Sequence, residues 1–322
     1  MHSKRYFVAA ALLAAFVPAQ SVAQSYPSKP IRLIAPYPPG GGVDGTARII
    51  GNALSEALGQ QVVIDNRGGA SGRIGTEIAA KAPADGYNLL LGSVAPNAII
   101  PGSYAKLSYD AVRDFAPISL VAESDYILAV HPSMPVKSVQ DLIALARARP
   151  GQIAFASTGN LGGPHLAGEL FKQLAKVTMI HVPYKGGGPA TTAILSGETS
   201  LIFGSGPTVV PHARTGRLRL VATTGAKRSK TLPELPTVGD TLPGHEVTQW
   251  YGILAPAGTP SDIVAKLNSE IVKAVRNPKV VQQLAASGAD AVSNTPEQFA
   301  AHIKAEIAKW GKVVKTSGVP LD

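Results

Sequence analysis

IRLIAPYPPGGGVDGTARIIGNALSEALGQQVVID, residues 31–65, decides the fold class. IRLIA (31–35) is a short apolar run rich in branched residues, which reads as a buried strand. A loop of prolines and glycines follows. Val43, Ala47, Ile50, Leu54 and Ala57 then recur at helical spacing. Gly59 stops that helix, and QVVID (61–65) is the next strand. Strand, glycine-rich turn, helix and strand together form one unit of an α/β protein.

The same alternation extends outward. YNLLLG (87–92), APISLVA (116–122) and YILAVH (126–131) read as strands, and Val139, Leu142, Ile143 and Ala146 mark a helix ending at Pro150-Gly151. QIAFAS (152–157), a helix from Pro164, VTMIHV (177–182), a helix from Pro189, TSLIFG (199–204), RLRLVAT (217–223) and VTQWYGILAP (247–256) follow. The last third is mostly helical, with Ile263, Leu267, Ile271 and Ala274 in one helix and Phe299, Ile303, Ile307, Trp310 and Val314 in another. The pattern predicts parallel sheets covered on both faces. A chain of 322 residues is long enough for two lobes. No low-complexity linker separates them, so the chain is expected to cross between interleaved domains, near Glu123–Tyr126 and near Gln249–Gly252.

Composition excludes several chemistries. The chain has no Cys, which removes disulfides, thiolate metal sites and cysteine nucleophiles. Lys4 and Arg5, the apolar run Tyr6 to Val17 and the small residues Ser21-Val22-Ala23 read as a secretory signal peptide over residues 1–23. The mature protein is then exported, and no later run of eighteen apolar residues would hold it in a membrane. Of the net charge of +9, Lys4 and Arg5 leave with the leader, and the remaining +7 is spread without Lys/Arg runs or interleaved aromatics, which argues for a solvated surface and against nucleic acid.

Three glycine-rich turns stand between a strand and a helix: PYPPGGGVDGTAR (36–48), STGNLGGPHLAGELF (157–171) and PYKGGGPATTAIL (183–195). Glycine lets backbone approach a ligand, and the first turn of a helix has unpaired N–H groups at the positive end of its dipole. Such turns suit an anion, and in doubly wound sheets they lie where ligands bind. Gly40, Gly42 and Gly45 match the spacing of a dinucleotide turn, but four residues, Pro36 to Pro39, separate the strand from the first glycine. The phosphate-loop pattern fails as well, because no Lys precedes Thr46. No H-E-x-x-H and no G-x-S-x-G occurs. Asp44 reads as a helix cap or a catalytic acid, His165 as a loop histidine to watch, and His181 as a satisfied residue on an apolar strand.

Nine strings in order, among them YPSKPIRLIAPYPPGGGVD, IDNRGGASGRIGTEIAAKAPADGYNLLLG, HVPYKGGGPA, PHARTGRLRLVATTG and WYGILAPAGTP, make residues 26–322 resemble the Bug family of periplasmic solute receptors. These receptors are the binding component of tripartite tricarboxylate transporters. The resemblance implies a two-lobed α/β periplasmic binding protein of type II, interleaved, each domain with a doubly wound sheet. Lobe 1 would comprise 24–124 plus 251–322, and lobe 2 would comprise 125–250. It implies a venus-flytrap receptor that performs no chemistry, works as a monomer without metal or organic cofactor, captures a small organic carboxylate and passes it to membrane permease subunits. Carried over by position, the first-lobe contacts would be Pro38, Pro39, Gly40, Gly41, Asp44, Ser93, Pro96 and Asn97. The second lobe would offer Ser157, Thr158, Gly159, Gly163, His165, Tyr184, Lys185, Gly186 and Gly187.

The sequence departs from the family at Leu161-Gly162, where Gly then Ser or Thr is usual, at Pro96-Asn97, where Thr-His is frequent, and at Gly204, often Asp. An apolar Leu161 and a missing hydroxyl at 162 suggest a monocarboxylate or aromatic acid rather than citrate. The rival readings are a secreted hydrolase using Asp44 and His165, and a sensor receptor without a transporter.

Overall fold

The computed structural model describes residues 26–104 and 106–317. The expected leader, 1–23, lies outside the described residues. From the N-terminus the chain forms β1 (Ile31–Ala35), α1 (Gly42–Leu58), β2 (Val62–Asn66), α2 (Arg73–Ala80), β3 (Asn88–Ser93), α3 (Ile100–Ser103) and β4 (Phe115–Val130). It continues through α4 (Val139–Ala148), β5 (Ala154–Ser157), α5 (Gly163–Ala175), β6 (Ile180–Pro183), α6 (Gly187–Leu195), β7 (Leu201–Ser205), α7 (Gly206–Arg214) and β8 (Arg219–Thr223). β9 (Thr248–Pro256), α8 (Ser261–Arg276), α9 (Pro278–Ala286), β10 (Asp290–Ala291) and α10 (Pro296–Ser317) complete it. A π-helical turn, Ala95–Ile99, joins β3 to α3. Among the described residues no helix is long and apolar enough to cross a membrane.

The strand order is β2-β1-β3-β9-β4-β7-β5-β6, with β10 and β8 pairing additional stretches of β4. β1 lies between β2 and β3, parallel to both, and β5 lies between β6 and β7, again parallel to both. Each lobe therefore has one strand whose two neighbours are reached by connections on opposite sides. The carboxyl end of such a strand opens into a crevice. The loops leaving β1 and β5 are the first two glycine-rich turns.

Two sequence expectations change. APISLVA and YILAVH are not two strands but one, β4, sixteen residues long. Glu123-Ser124-Asp125 interrupts the apolar run, yet it stays extended because both edges are occupied there: β9 pairs along β4 as far as Asp125, and β10 pairs Ala122 and Glu123. From Tyr126 onward β4 changes partner to β7 and β8. The sheet is also mixed rather than parallel, because β9 and β4 run antiparallel to their neighbours where the chain crosses between lobes.

One large apolar cluster joins both lobes under β4 and α10, and includes Leu120, Leu128, Phe155, Phe171, Phe203, Trp250, Phe299 and Trp310. A second fills the first lobe between the sheet and α1, α8 and α9, around Ile31, Leu33, Ile50, Leu54, Leu267 and Ile271. A third, around Ile127, Ile194, Ile202 and Val209, packs α6 and α7 on the second-lobe strands. α5 shows the underlying logic: Leu166, Ala167, Phe171 and Ala175 recur at helical spacing and are all buried. Each large side chain buried this way stabilises the fold by about 1.5–3 kcal/mol. These faces fix where each helix begins, and so where its unpaired N–H groups point.

Candidate functional site

Four helices begin at one place. The first residues of α1 (Gly42, Val43), α5 (Gly163, Pro164) and α6 (Gly187) line a single cavity between the lobes, together with Ser205 and Thr208 at the start of α7. None of the four has a side-chain cap: no side chain of the N-cap residues Gly41, Gly162, Gly186 and Ser205 accepts from the first-turn amides. Away from the cavity the starts are mixed: α2, α3 and α8 also lack a side-chain cap, whereas two others carry one. Ser138 caps α4 by accepting from the Asp141 amide, and Asn277 caps α9 by accepting from the Lys279 amide. A capping side chain would occupy the amides an anion needs, so bare N-caps leave the dipole ends of four helices open to one volume.

Glycines let the lobes approach. Gly41 packs against the backbone of Gly187, and a Cβ on Gly188 would stand 2.8 Å from the Pro39 carbonyl. Gly40 and Gly186 have φ of 82° and 140°, a region that L side chains avoid. Across the same seam Ser71 Oγ donates to the Asn160 carbonyl at 2.6 Å. Ser71 is itself positioned by Tyr37, whose hydroxyl donates to the Ser71 carbonyl at 2.8 Å. The lobes are closed in this arrangement.

The floor of the cavity comes from the crossing strands. Tyr126 on β4 and Gln249 and Tyr251 on β9 line it, with Tyr37 from the first lobe. The Tyr126 hydroxyl donates to Gln249 Oε1 at 3.2 Å. Burial raises the pKa of Tyr37, Tyr126 and Tyr251, so all three keep their protons. Val43, Ala95, Pro164 and Ile202 form apolar walls. Among the described residues no Lys, Arg or His lines this cavity. It offers about 40 Å³ to the centres of water-sized spheres, room for about three waters.

Of the residues expected from the sequence, Gly41, Thr158, Gly163 and Gly187 line the cavity. Pro39 and Gly40 sit just outside, on a surface groove that shares Thr208 with it. Pro38 and Gly186 pack on each other at the seam. Most of the others are engaged elsewhere, although Ser93 Oγ and Asn97 Nδ2 are buried without a hydrogen-bond partner. Asp44 is not the cap of α1 but lies in its first turn, where its carboxylate accepts from the Gly40 amide, Arg48 and Asn66. Burial pushes its pKa up, but Arg48, the Gly40 amide and Asn66 outweigh that and leave it below the usual value. Asn97 Oδ1 accepts from the Ser93 amide, and the Pro96 carbonyl accepts from Tyr109. The Tyr184 hydroxyl donates to Glu198, and Lys185 is exposed.

Ser157, Gly159 and His165 hold the second-lobe turn from behind. Ser157 Oγ lies 2.6 Å from His181 Nε2 and accepts from the Gly159 amide. The His165 ring stacks on His181 at 3.8 Å between centroids, and its Nδ1 accepts from the Leu161 amide. That bond leaves the proton of neutral His165 on Nε2, facing Glu169 at 3.7 Å. Burial, with His165 beside it, pushes the His181 pKa down to about 4. Asp44 and His165 thus belong to separate networks in separate lobes, which removes the acid–base pair a hydrolase would need. Leu161 also departs from expectation. It takes φ of 56° and its side chain is buried in the large core, away from the cavity, so it gives the site no apolar surface.

Sequence reasoning missed α7, Tyr37, Tyr126, Gln249 and Tyr251. α7 contains Pro211, which disguises a helix, yet Ser205-Gly206-Pro207 after a strand is a start signal of the same type as the other turns. A Gln within an apolar strand was the one sign that β9 turns a polar side chain inward.

The chain matches the tripartite tricarboxylate transporter family receptor over residues 46–319. It belongs to that family. Protein BugT of Bordetella pertussis is 38% identical to this receptor, over 98% of this chain and 96% of the relative. Among solved structures, Rpa4515 of R. palustris with adipate is 37% identical with a TM-score of 0.89, covering 92% of this chain and all of that one (100%). MatC from Rhodopseudomonas palustris with bound malate is 29% identical, with a TM-score of 0.84, over 90% of this chain and 100% of that one. The periplasmic binding protein BugD is 30% identical, with a TM-score of 0.87, over 91% and 99%. The receptor is therefore a two-lobed periplasmic solute-binding protein of type II and not an enzyme.

Proposed function

We propose that the receptor captures a small organic acid, with short dicarboxylates in the malate-to-adipate range as the leading candidates, and delivers it to the membrane permease subunits of a tripartite transporter. The observation that carries this reading is the convergence of four uncapped helix N-termini on one cavity. Each such end favours an anion by about 0.3–1 kcal/mol when exposed and up to about 2 kcal/mol when partly buried. Closure drives water out and strengthens every one of these contacts. No cationic side chain is required.

Two close approaches at separate points of the lining leave room for a ligand with two ends. Gly42 of α1 meets Ser205 of α7 and Tyr251 at one, and Gly163 of α5 meets Tyr126 at the other. Adipate and malate, named with two of the relatives, each carry two carboxylates. We take lobe 1 as 24–124 with 251–322 and lobe 2 as 125–250, hinged where β4 and β9 cross. With room for about three waters in the closed form, an acid of this size enters through a parted form, and closure follows its differential affinity for the two. Residues 1–23 direct export, so a variant without them stays in the cytoplasm.

Titration calorimetry with adipate, malate, benzoate, citrate and adipamide tests the reading. At least one dicarboxylate binds with micromolar or tighter Kd, and adipamide does not bind. Equal binding of the neutral diamide, or no heat with any acid, rejects it.

A further inference from the structure

Tyr251 occupies an unusual position on the floor of the site. It lies on β9, a strand that belongs to the hinge, and its side chain is fully buried at 0% exposure. Its ring packs among the first-lobe core residues around Val43, Ala47 and Val121, so it does not swing freely. Its hydroxyl reaches the junction where α1 of the first lobe meets α7 of the second: a Cβ on Gly42 would stand 2.6 Å from that oxygen and would overlap Ser205 Oγ. Gln249, Ser205 and Ser124 stand near enough to offset part of the upward push of burial on its pKa, but none makes a hydrogen bond to it.

A buried hydroxyl without a partner is costly, and native proteins seldom keep one without a use. Its two fellow tyrosines are partnered: Tyr37 donates to the Ser71 carbonyl and Tyr126 to Gln249 Oε1. Tyr251 is thus the floor tyrosine left with a free donor, aimed into a cavity that Thr158, Ser205, Thr208 and Gln249 also line. Building on the carboxylate reading above, we propose that Tyr251 is a ligand-contact residue: its O–H donates to the anionic group of the captured acid at the junction of α1 and α7. The hydroxyl then finds its partner only in the liganded, closed receptor. Because the donor is carried by a hinge strand, it rewards the acid for sitting where both lobes meet rather than on one lobe alone.

The test is Tyr251→Phe, which removes one oxygen and keeps the ring. Melting temperature is measured without ligand, and the Kd for adipate and for malate by calorimetry. Since the oxygen has no partner in the free protein, the variant melts at the same temperature or higher. Its affinity for the acid that the wild type binds falls about ten- to a hundredfold, the range for a hydrogen bond to a charged group. Unchanged affinity in a variant of an acid-binding wild type overturns the assignment and leaves the carboxylate reading standing. A melting temperature lowered by several degrees also overturns it, because the hydroxyl then has a structural partner. A wild type that binds neither acid sinks the carboxylate reading and this assignment with it.

Discussion

The two lobes meet the same cavity with unequal equipment. The first contributes one bare helix start, α1, with the π-helical turn at Ala95; the second contributes three, α5, α6 and α7. Behind these turns the support also differs. The first lobe braces its glycine loop with a charged network, Asp44 to Arg48, Asn66 and the Gly40 amide. The second braces its turn with neutral imidazoles, His165 stacked on His181 and His181 beside Ser157. Under the proposed function the difference implies a division of labour: the second lobe would hold most of the anion's partners, and the first would act as the cover that completes them.

The largest effect should come from Gly42→Ala. Its new Cβ would overlap Ser205 Oγ across the seam and, within the first lobe, the buried Tyr251 hydroxyl, so closure fails and the free protein is destabilised as well. Affinity for the acid drops more than about a hundredfold, and the free protein loses about 1–3 kcal/mol in denaturant melts. Gly163→Ala breaks the comparison from the other side. Its Cβ would overlap the Tyr126 hydroxyl inside the second lobe, so the cost appears in folding, about 1–3 kcal/mol by denaturant melts. An affinity loss in Gly163→Ala as large as that in Gly42→Ala would erase the distinction between cover and holder.

Next in size is acid sensitivity. His181 and His245 are held near pKa 4, His245 by burial against a hydrogen bond from its ring to the Ala167 carbonyl. Both folded values lie below the unfolded value of about 6.5. Their contribution is therefore complete above pH 6.5 and is lost as pH falls from about 6.5 toward 4. It amounts to about 2–3 kcal/mol for His245 and less for the part-exposed His181. Asp44 has the opposite character: with its pKa lowered, its contribution persists until pH falls below the ordinary carboxylate value of about 3.9. Hydrogen exchange read by mass spectrometry between pH 7 and pH 4.5 should show second-lobe amides losing protection first. Simultaneous loss in both lobes would contradict this.

Smaller again is Asp44→Asn. It loses the ion pair with Arg48 and costs about 0.5–1 kcal/mol in a urea melt, with affinity changed less than about threefold. A tenfold loss of affinity would place Asp44 in direct contact with the ligand, as the family resemblance implies. The smallest effect belongs to Lys185→Ala. The residue is exposed and outside the cavity lining, so Kd changes less than about twofold. For the same reason Kd should vary only weakly between low and high salt.

Much of this was legible in the sequence because it is written in local chemistry. Strand, glycine turn and helix are short-range patterns, and Gly59 stops α1 with φ of 64° at its C-cap. The resemblance supplied the two-lobed fold, and the bare starts of α1, α5 and α6 followed from their glycines. The floor was not legible. Tyr126 and Tyr251 sit in apolar strand runs, where a tyrosine looks like core, and only the register of β4 with β9 turns their hydroxyls to the cavity. Leu161 misled for a related reason: in a glycine-rich turn a leucine looks exposed, yet a left-handed φ swings it into the core. The role of Ser71 was equally hidden, since its partner, Asn160, lies 89 positions away.

β9 has one further implication, for the order of assembly. It is the inner strand between β3 and β4, yet it is the last long strand to leave the ribosome. By the time Thr248 emerges, every strand of the second lobe has been made, so that lobe can fold as an uninterrupted insert. The first lobe meanwhile holds a slot with two raw edges, which invite pairing with other chains until β9 slides in. A nascent molecule stalled before residue 248 would then be half native and half adhesive.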